Sequence, residues 1–167
     1  MKSLEETLKN VREDKTLTEG LRVFDVFTVC VSLYAFLYII AAAWQKDMWL
    51  ALKVAGILAV EFIILSLVRH IVHAPRPYED FGLGHPSGKE KKTRHGAFPS
   101  RHVFCTALLG CVCFLFSGLF GAILLGLSAL LAVDRVLLGF HYPRDVIWGF
   151  VTGLVGGVLA ILVLHWI

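Results

Sequence analysis

Five long apolar stretches alternate with short polar segments along the chain. Each stretch is close to the roughly 20 residues that a helix needs to cross the hydrocarbon core of a bilayer. Because backbone amides in that core must be satisfied within the segment, we predict five transmembrane helices. The predicted spans cover residues 23–44, 48–67, 103–120, 121–138 and 146–166. The pattern therefore predicts an all-α integral membrane bundle, with residues 1–167 forming a single domain.

The first twenty residues are polar and charged rather than apolar. Ser3 followed by Glu6 resembles a capping box, and Leu4, Leu8 and Val11 recur at helical spacing. This pattern predicts a short amphipathic helix on the membrane surface, and a frayed polar tail is the alternative. Because the chain starts with charged residues, we expect the first apolar stretch to stay as an anchor and not to be removed as a signal.

Composition supports a membrane location. Apolar residues make up 57% of the 167 residues and charged residues only 17%. This apolar fraction is higher than the core of a soluble protein requires. All four cysteines lie inside apolar stretches, so we expect reduced side chains that serve in packing. They are Cys30, Cys105, Cys111 and Cys113.

Positive charges are divided unevenly between the two ends of the predicted bundle. Five spans place the amino terminus and residues 69–102 and 135–145 on one side. Of the 16 Lys and Arg residues, only Lys46 and Lys53 lie on the other side, which leaves 14 on the first. Since basic segments stay in the cytoplasm, we predict a multi-pass protein of the plasma membrane whose first side faces the cytoplasm.

Three clusters of chemically useful residues lie on that same side. They are Arg69 with Arg76-Pro77, then Phe98-Pro99-Ser100-Arg101-His102, then Arg135 with His141 and Asp145. An arginine near the hydrocarbon is unfavourable unless an anion meets it, and phosphate suits the guanidinium fork. A single arginine more often extends to the lipid headgroups. The joint occurrence of several arginines with two histidines in these clusters therefore indicates a phosphate site.

Ser100 stands where the third span begins, so we predict that its hydroxyl caps that helix. The free amides of the first turn would then help to hold phosphate oxygens without a metal ion. His102 lies in the same turn, and we expect it to give a proton to the departing oxygen.

His141 and Asp145 are four residues apart, with Pro143 at the predicted first turn of the last span. A carboxylate at this spacing can accept a proton from one ring nitrogen and leave the other nitrogen free to act as a nucleophile. The alternative is an aspartate that caps the last helix beside an incidental histidine.

Together the clusters resemble the three-part signature of the type 2 phosphatidic acid phosphatase family. The first part, a Lys, six residues and Arg-Pro, is matched by Arg69, six residues and Arg76-Pro77. The second part, Pro-Ser-Gly-His, is matched by residues 99–102. The third part, Ser-Arg, five residues, His, three residues and Asp, is matched by residues 134–145.

The chain departs from that signature at three positions. Arg69 replaces a lysine and keeps the positive charge. Arg101 replaces a glycine, which puts in doubt a close approach of the backbone to phosphate. Asp134 replaces a serine, and its carboxylate either repels phosphate or orients Arg135. A further fragment, residues 86–88, has the letters Pro-Ser-Gly but no following histidine, so we predict a turn there.

The resemblance implies a metal-free membrane phosphatase, with five spans here where the family has six. It implies that His141 forms a covalent phosphohistidine, that Asp145 is its partner and that His102 is the acid. We predict a phosphate-binding set of Arg69, Arg76, Ser100, Arg101 and Arg135. The predicted partners are a lipid phosphate and the bilayer, and we predict no cofactor, metal or nucleic acid.

Two rival readings remain. A metal hydrolase is one, because seven histidines include His70, His73, His85 and His95, although none forms a His-Glu-x-x-His pair. A non-catalytic phospholipid-binding or transport protein is the other. The His-Asp pair favours the enzyme, since binding alone does not need it.

Two polar features lie outside the signature. Glu61 falls within the second span, where we expect a buried hydrogen bond to another span. Residues 73–98 form a loop beside the predicted site. Its basic run, residues 89–94, is interpreted as a solvated segment, which as a hypothesis draws anionic headgroups toward the site.

The residues predicted to bind phosphate give little information about the lipid tail of the substrate. Small bacterial members of the family resemble polyprenyl diphosphate phosphatases, so undecaprenyl diphosphate is the favoured substrate. Phosphatidic acid and phosphatidylglycerol phosphate are the alternatives. The sequence makes no prediction of the oligomeric state.

Overall fold

Seven helices make up the described part of the chain. The computed structural model describes residues 2–86 and 96–166, and no strand occurs in those two ranges, so the all-α prediction is confirmed. In chain order the helices are α1 (Lys2–Glu13), α2 (Lys15–Lys46), α3 (Met48–Val72), α4 (Pro77–Asp80), α5 (Arg101–Cys113), α6 (Gly118–Leu137) and α7 (Pro143–Trp166). The basic run 89–94 and most of the predicted turn at 86–88 lie outside the described residues.

Four helices, α2, α3, α6 and α7, are long and apolar enough to cross a membrane. The predicted third span is the exception, because α5 ends at Cys113 and not at residue 120. Residues 114–117 form a turn, and the Ser117 hydroxyl accepts a hydrogen bond from the Phe120 amide at 3.4 Å. Ser117 therefore caps α6 and moves the boundary between the two helices toward the amino terminus. With 13 residues, α5 is about 20 Å long and shorter than the hydrocarbon core.

Helix α2 begins eight residues before the predicted first span. The Asp14 carboxylate accepts a hydrogen bond from the Leu17 amide at 3.0 Å and caps the helix. Its 32 residues extend for about 48 Å, which exceeds the roughly 30 Å of a hydrocarbon core. The first turns of α2 therefore reach beyond the apolar layer, at the end of the bundle that carries the three clusters.

Helix α1 packs on the protein through its apolar face. Leu8 and Val11 are buried, and Leu8 lies against Gly139 at the end of α6. The Arg12 guanidinium donates to the Gly84 carbonyl at 2.9 Å. The predicted helix is confirmed and the alternative of a frayed tail is wrong. The predicted capping box is also wrong, because α1 already includes Lys2 and Ser3 lies inside it.

Helix α5 is the centre of the bundle. Every residue from 103 to 113 except Cys105 is buried, and the helix is surrounded by α2, α6 and α7. Three glycines at four-residue spacing let α7 approach it. A Cβ at Gly149, Gly153 or Gly157 would lie 2.7, 2.6 or 2.3 Å from the nearest atom of residues 100–111. Small residues permit such close helix pairs in membrane proteins.

The outer faces of the long helices carry large exposed apolar side chains, as expected for a protein surrounded by lipid. Examples are Leu33, Ile71, Leu119 and Leu162. The four cysteines are free, and Cys111 and Cys113 are buried in the core, which agrees with the predicted packing role. The molecule is an integral membrane protein.

We expect Gly157→Val to destabilise the bundle by at least about 2 kcal/mol, because its Cβ would overlap the Cβ of Cys111. Thermal unfolding in detergent measures the effect. The matched control is Gly126→Ala, since nothing lies within 4 Å of a Cβ at Gly126. Equal stability of the two variants would contradict the close packing of α5 and α7.

Candidate active site

Arg69, in the last turn of α3, is buried and reaches the loop that precedes α5. Its Nη1 donates to the Ala97 carbonyl at 3.4 Å and to the Pro99 carbonyl. Arg69 therefore fixes the backbone just before Ser100. The sequence predicts that this guanidinium binds phosphate, but its Nη1 atom holds the loop.

Arg76 is the residue before α4, and its amide donates to the Glu79 carboxylate at 3.2 Å. Helix α4 is joined to the end of α6, because the Tyr78 amide donates to the Gly139 carbonyl at 3.2 Å. This contact brings the positive charge of Arg76 close enough to interact electrostatically with Arg69, Arg135 and His141.

Ser100 occupies the N-cap position of α5, as predicted, but its side chain does not cap the helix. The Oγ atom is buried and has no hydrogen-bond partner among the described residues, so the predicted capping bond is wrong. The Ser100 amide instead donates to the Asp145 carbonyl at 2.9 Å. This bond joins the second cluster to the third, and it leaves a hydroxyl free at the start of α5.

The other two residues of the second cluster lie in the first turn of α5. His102 is exposed, and the positive charges of Arg69, Arg101 and Arg135 lie close enough to interact with its ring. The Arg101 guanidinium lies 5.4 Å from the centre of the Phe62 ring on α3, a cation–π contact. Arg101 thus has a protein partner as well as a position beside His102.

His141 and Asp145 face each other where α6 gives way to α7. His141 is buried, and its Nδ1 lies 3.9 Å from Oδ2 of Asp145. That distance is too long for a hydrogen bond, and Nδ1 has no hydrogen-bond partner among the described residues. The predicted proton acceptance is therefore not formed in this structure. The Asp145 Oδ2 is held in place by the Tyr142 amide at 2.9 Å.

Arg135 lies in the last turn of α6 and is buried. Its guanidinium is 4.9 Å from the centre of the Phe140 ring, and its carbonyl accepts from the amides of Phe140 and His141 at 3.0 and 3.3 Å. Its Nη2 also lies 2.9 Å from Oδ1 of Asp25. Arg135 is thus fixed directly beside His141.

Burial controls the charge of His141. Removal of the ring from water lowers the pKa of His141 from its ordinary 6.5 to about 4, although Asp145 acts in the opposite direction. Arg76 and Arg135 lower this pKa further. The ring is therefore neutral near pH 7, which is the form in which a nitrogen lone pair is available.

Sequence reasoning missed two contacts of the site. Asp25 on α2, and not Asp134, forms the ion pair with Arg135. The sequence contained a signal for Asp25, because an acidic residue inside an apolar span is a functional candidate. The Tyr142 hydroxyl donates to the Asp80 carboxylate at 2.5 Å, and burial and this bond raise the pKa of Tyr142 to about 12. This contact joins α4 to the start of α7.

Glu61 and His85 make contacts outside the three clusters. The Glu61 carboxylate packs on α7, where a Cβ at Gly156 would lie 2.9 Å from Oε2. His85 packs against the rings of Tyr78 and Phe140 at 5.1 and 5.5 Å. Within residues 2–86 and 96–166, no group of three His, Cys, Asp or Glu side chains is arranged to hold a metal ion.

The fold and this geometry define a class, a helical membrane bundle with two histidines, a carboxylate and several arginines at one end. The family profile described as PAP2 superfamily matches residues 50–167. Because this is more than half of the chain, the protein belongs to the PAP2 superfamily, and the resemblance found in the sequence is confirmed.

Individual relatives agree with this assignment. The Escherichia coli (strain K12) protein "Putative undecaprenyl-diphosphatase YbjG" is 30% identical over 139 residues. The match covers 79% of this chain and 65% of that protein, so it spans slightly less than two thirds of the relative.

Two solved structures share the fold. The "first transmembrane PAP2 type phosphatidylglycerolphosphate phosphatase from Bacillus subtilis" is 18% identical with a TM-score of 0.74, covering 99% of this chain and 86% of that one. Aquifex aeolicus LpxE is also 18% identical, with a TM-score of 0.60 and coverage of 86% and 93%.

We expect the His141 ring to stay neutral as the pH falls from 8 to 5 and to gain a proton only near pH 4, because burial disfavours the imidazolium. Imidazole ¹⁵N chemical shifts measure this titration, and the His141→Gln spectrum assigns the signal. A midpoint between pH 6 and 7 would contradict the buried, neutral state.

Proposed function

We propose that this protein is an integral membrane phosphatase that releases phosphate from a phosphorylated lipid through a phosphohistidine on His141. The observation that carries the proposal is the placement of a buried, neutral histidine between a carboxylate and a cluster of arginines. A protein that only binds phosphate needs the arginines. It has no need of a histidine whose lone pair is kept free.

In the first step, Nε2 of His141 attacks phosphorus, since Nδ1 is the nitrogen that faces Asp145. The bond from phosphorus to the leaving oxygen breaks, and His102, which takes up a proton when the bound phosphate anion offsets the nearby arginine charges, donates the proton that this oxygen needs. Arg76, Arg135 and the first amides of α5 offset the charge that builds on the equatorial oxygens. The unpartnered Ser100 hydroxyl is a further donor to them.

In the second step, water attacks the phosphohistidine. His102, now neutral, takes a proton from that water, and the bond from phosphorus to Nε2 breaks. Inorganic phosphate leaves, and His141 returns to its neutral form. Approach of the phosphate shortens the 3.9 Å separation of His141 from Asp145, because the developing positive charge on the ring attracts the carboxylate.

An apolar groove supports a lipid substrate. Two adjoining cavities of about 170 and 370 Å³ share Ser32 and Cys105 on their walls. The first begins at Arg101 and His102, and the second continues between α2 and α3 past Phe62. A lipid whose phosphate lies at His102 could place its tail along this path.

We favour a polyprenyl diphosphate as the substrate, because the name of the Escherichia coli relative specifies an undecaprenyl-diphosphatase. Phosphatidic acid and phosphatidylglycerol phosphate are the alternatives, and the Bacillus subtilis structure is named for the latter. We propose that the whole chain is one metal-independent domain in the plasma membrane. Its site is proposed to face the cytoplasm, because 14 of the 16 basic residues fall in segments that the sequence predicts for that side of the membrane.

We expect His141→Ala to lower phosphate release from the best lipid of a panel by at least about 1,000-fold, because no nucleophile remains. The panel contains undecaprenyl diphosphate, phosphatidic acid and phosphatidylglycerol phosphate, assayed with and without a chelator. His165→Ala, at the far end of α7, is the matched control. Acid-labile ³²P on the wild-type protein, absent from His141→Ala, would show the covalent intermediate.

The outcomes separate the candidates. Lipid binding that is retained by His141→Ala while release is lost supports the enzyme. A wild-type protein that binds these lipids and releases no phosphate would instead be the non-catalytic binding or transport protein. Activity that disappears in chelator would support the metal hydrolase.

Ala59 lines the groove between α2 and α3, so we expect Ala59→Trp to raise KM for a long-chain lipid about 10-fold by filling the tail path. Hydrolysis of p-nitrophenyl phosphate, which has no tail, should be unchanged. Ala129→Trp, at an exposed position of α6 that is not among the residues lining the groove, is the control. Equal effects on both substrates would argue against this tail path.

A further inference from the structure

Asp25 lies on α2, outside the three clusters and outside the region that the family profile matches. Its Oδ1 is 2.9 Å from Nη2 of Arg135, and the two side chains are only 19% and 7% exposed. An ion pair so far removed from water is more than a surface contact. It joins the first long helix to the end of α6, six residues before His141 in the sequence.

The Arg135 guanidinium depends on few contacts. The Phe140 ring covers it at 4.9 Å, and Nε has no hydrogen-bond partner among the described residues. Within the same residues, Asp25 is the acid that lies within ion-pair distance of it. A buried guanidinium that loses its carboxylate is strongly unfavourable and turns toward water or another anion. Asp25 therefore holds the guanidinium through an ion pair, although the contact lacks the geometry of a hydrogen bond.

Asp134 is the obvious rival, because it precedes Arg135 in the sequence. It is only 3% exposed, but among the described residues the ion pair of Arg135 is formed with Asp25 and not with Asp134. Successive residues on a helix point about 100° apart, so adjacency does not bring the two side chains together. Orientation of Arg135 was one of two alternatives that the sequence left open for Asp134, and the geometry gives the ion pair to Asp25.

We infer that Asp25 is a positioning residue for phosphoryl transfer, holding the Arg135 guanidinium in the direction that meets the phosphate beside His141. The inference rests on the proposed function. It also explains how α2 contributes to a site whose other residues all lie on later parts of the chain. Asp25 acts through Arg135 and does not touch the phosphate itself.

A residue that positions Arg135 should affect different inhibition constants from a residue that only attracts the phosphate anion. Asp25→Asn leaves the positive charge of Arg135 in place, so the inhibition constant of inorganic phosphate should change less than about threefold. Orthovanadate copies the geometry of the transition state, which needs the fork correctly aligned. Its inhibition constant should rise about 10- to 100-fold, together with an equal fall in kcat.

The experiment measures kcat, KM and both inhibition constants for purified full-length variants in detergent. Asp25→Glu keeps the charge and moves the carboxylate by one methylene, so its vanadate constant should rise about threefold to tenfold. This variant also serves if Asp25→Asn does not fold. Glu19→Gln removes an exposed acid from the same helix, and Asp134→Asn removes the rival acid. Both should stay within about threefold of the wild type.

A smaller folded fraction would lower the apparent kcat and leave the vanadate constant unchanged, so that result would overturn the inference. An Asp134→Asn effect that equals the Asp25→Asn effect would also overturn it. If the wild type hydrolyses lipid and Asp25→Asn matches it, the inference fails and the proposed function stands.

Vanadate binding measured by thermal shift does not require turnover. If the wild type binds vanadate in an Asp25-dependent manner and releases no phosphate, positioning of Arg135 is supported and the proposed function fails. If the wild type neither binds vanadate nor releases phosphate, both fail.

Discussion

The hydrogen bond from the Ser100 amide to the Asp145 carbonyl holds the site together, because it joins the start of α5 to the start of α7. Two backbones approach this closely only where side chains are absent between them. Gly149 meets that need, since a Cβ there would lie 2.7 Å from the Ser100 carbonyl oxygen. Glycines further along α7 keep the two helices close. Helix packing within the membrane thus sets the relation between His102 and His141 at its surface.

Charge is the second organising factor. The site collects Arg69, Arg76, Arg101 and Arg135, and among the described residues only Asp25 forms an ion pair with one of these guanidinium groups. Asp25 is paired with Arg135, and Asp145 lies between His141 and Arg144. An anionic ligand completes such an arrangement at the point where α5 presents its free amides. Burial at the same point keeps His141 neutral, so that attraction for phosphate and a free lone pair coexist.

Much of this follows from the sequence. Apolar length predicted the helices, and the spacing of His141 and Asp145 predicted that the two side chains lie close together. The spacing of residues along the sequence does not give the distance between side chains on different helices. Asp25 is far from Arg135 in the chain, so its ion pair depends on how α2 packs, whereas for the adjacent Asp134 the sequence left both repulsion of phosphate and orientation of Arg135 open. The Ser100 hydroxyl and the end of α5 depend likewise on local geometry, because Ser100 bonds through its amide and Ser117 starts α6 early.

The central claim is that phosphorus is transferred to His141. A structure of the protein crystallised with orthovanadate tests it most directly. The account predicts vanadium within covalent bonding distance of Nε2 of His141, the His102 ring near the apical oxygen on the opposite side, and Arg135 on the equatorial oxygens. Vanadate held by the arginines with no bond to His141, or both imidazole rings on one side of the vanadium, would contradict it.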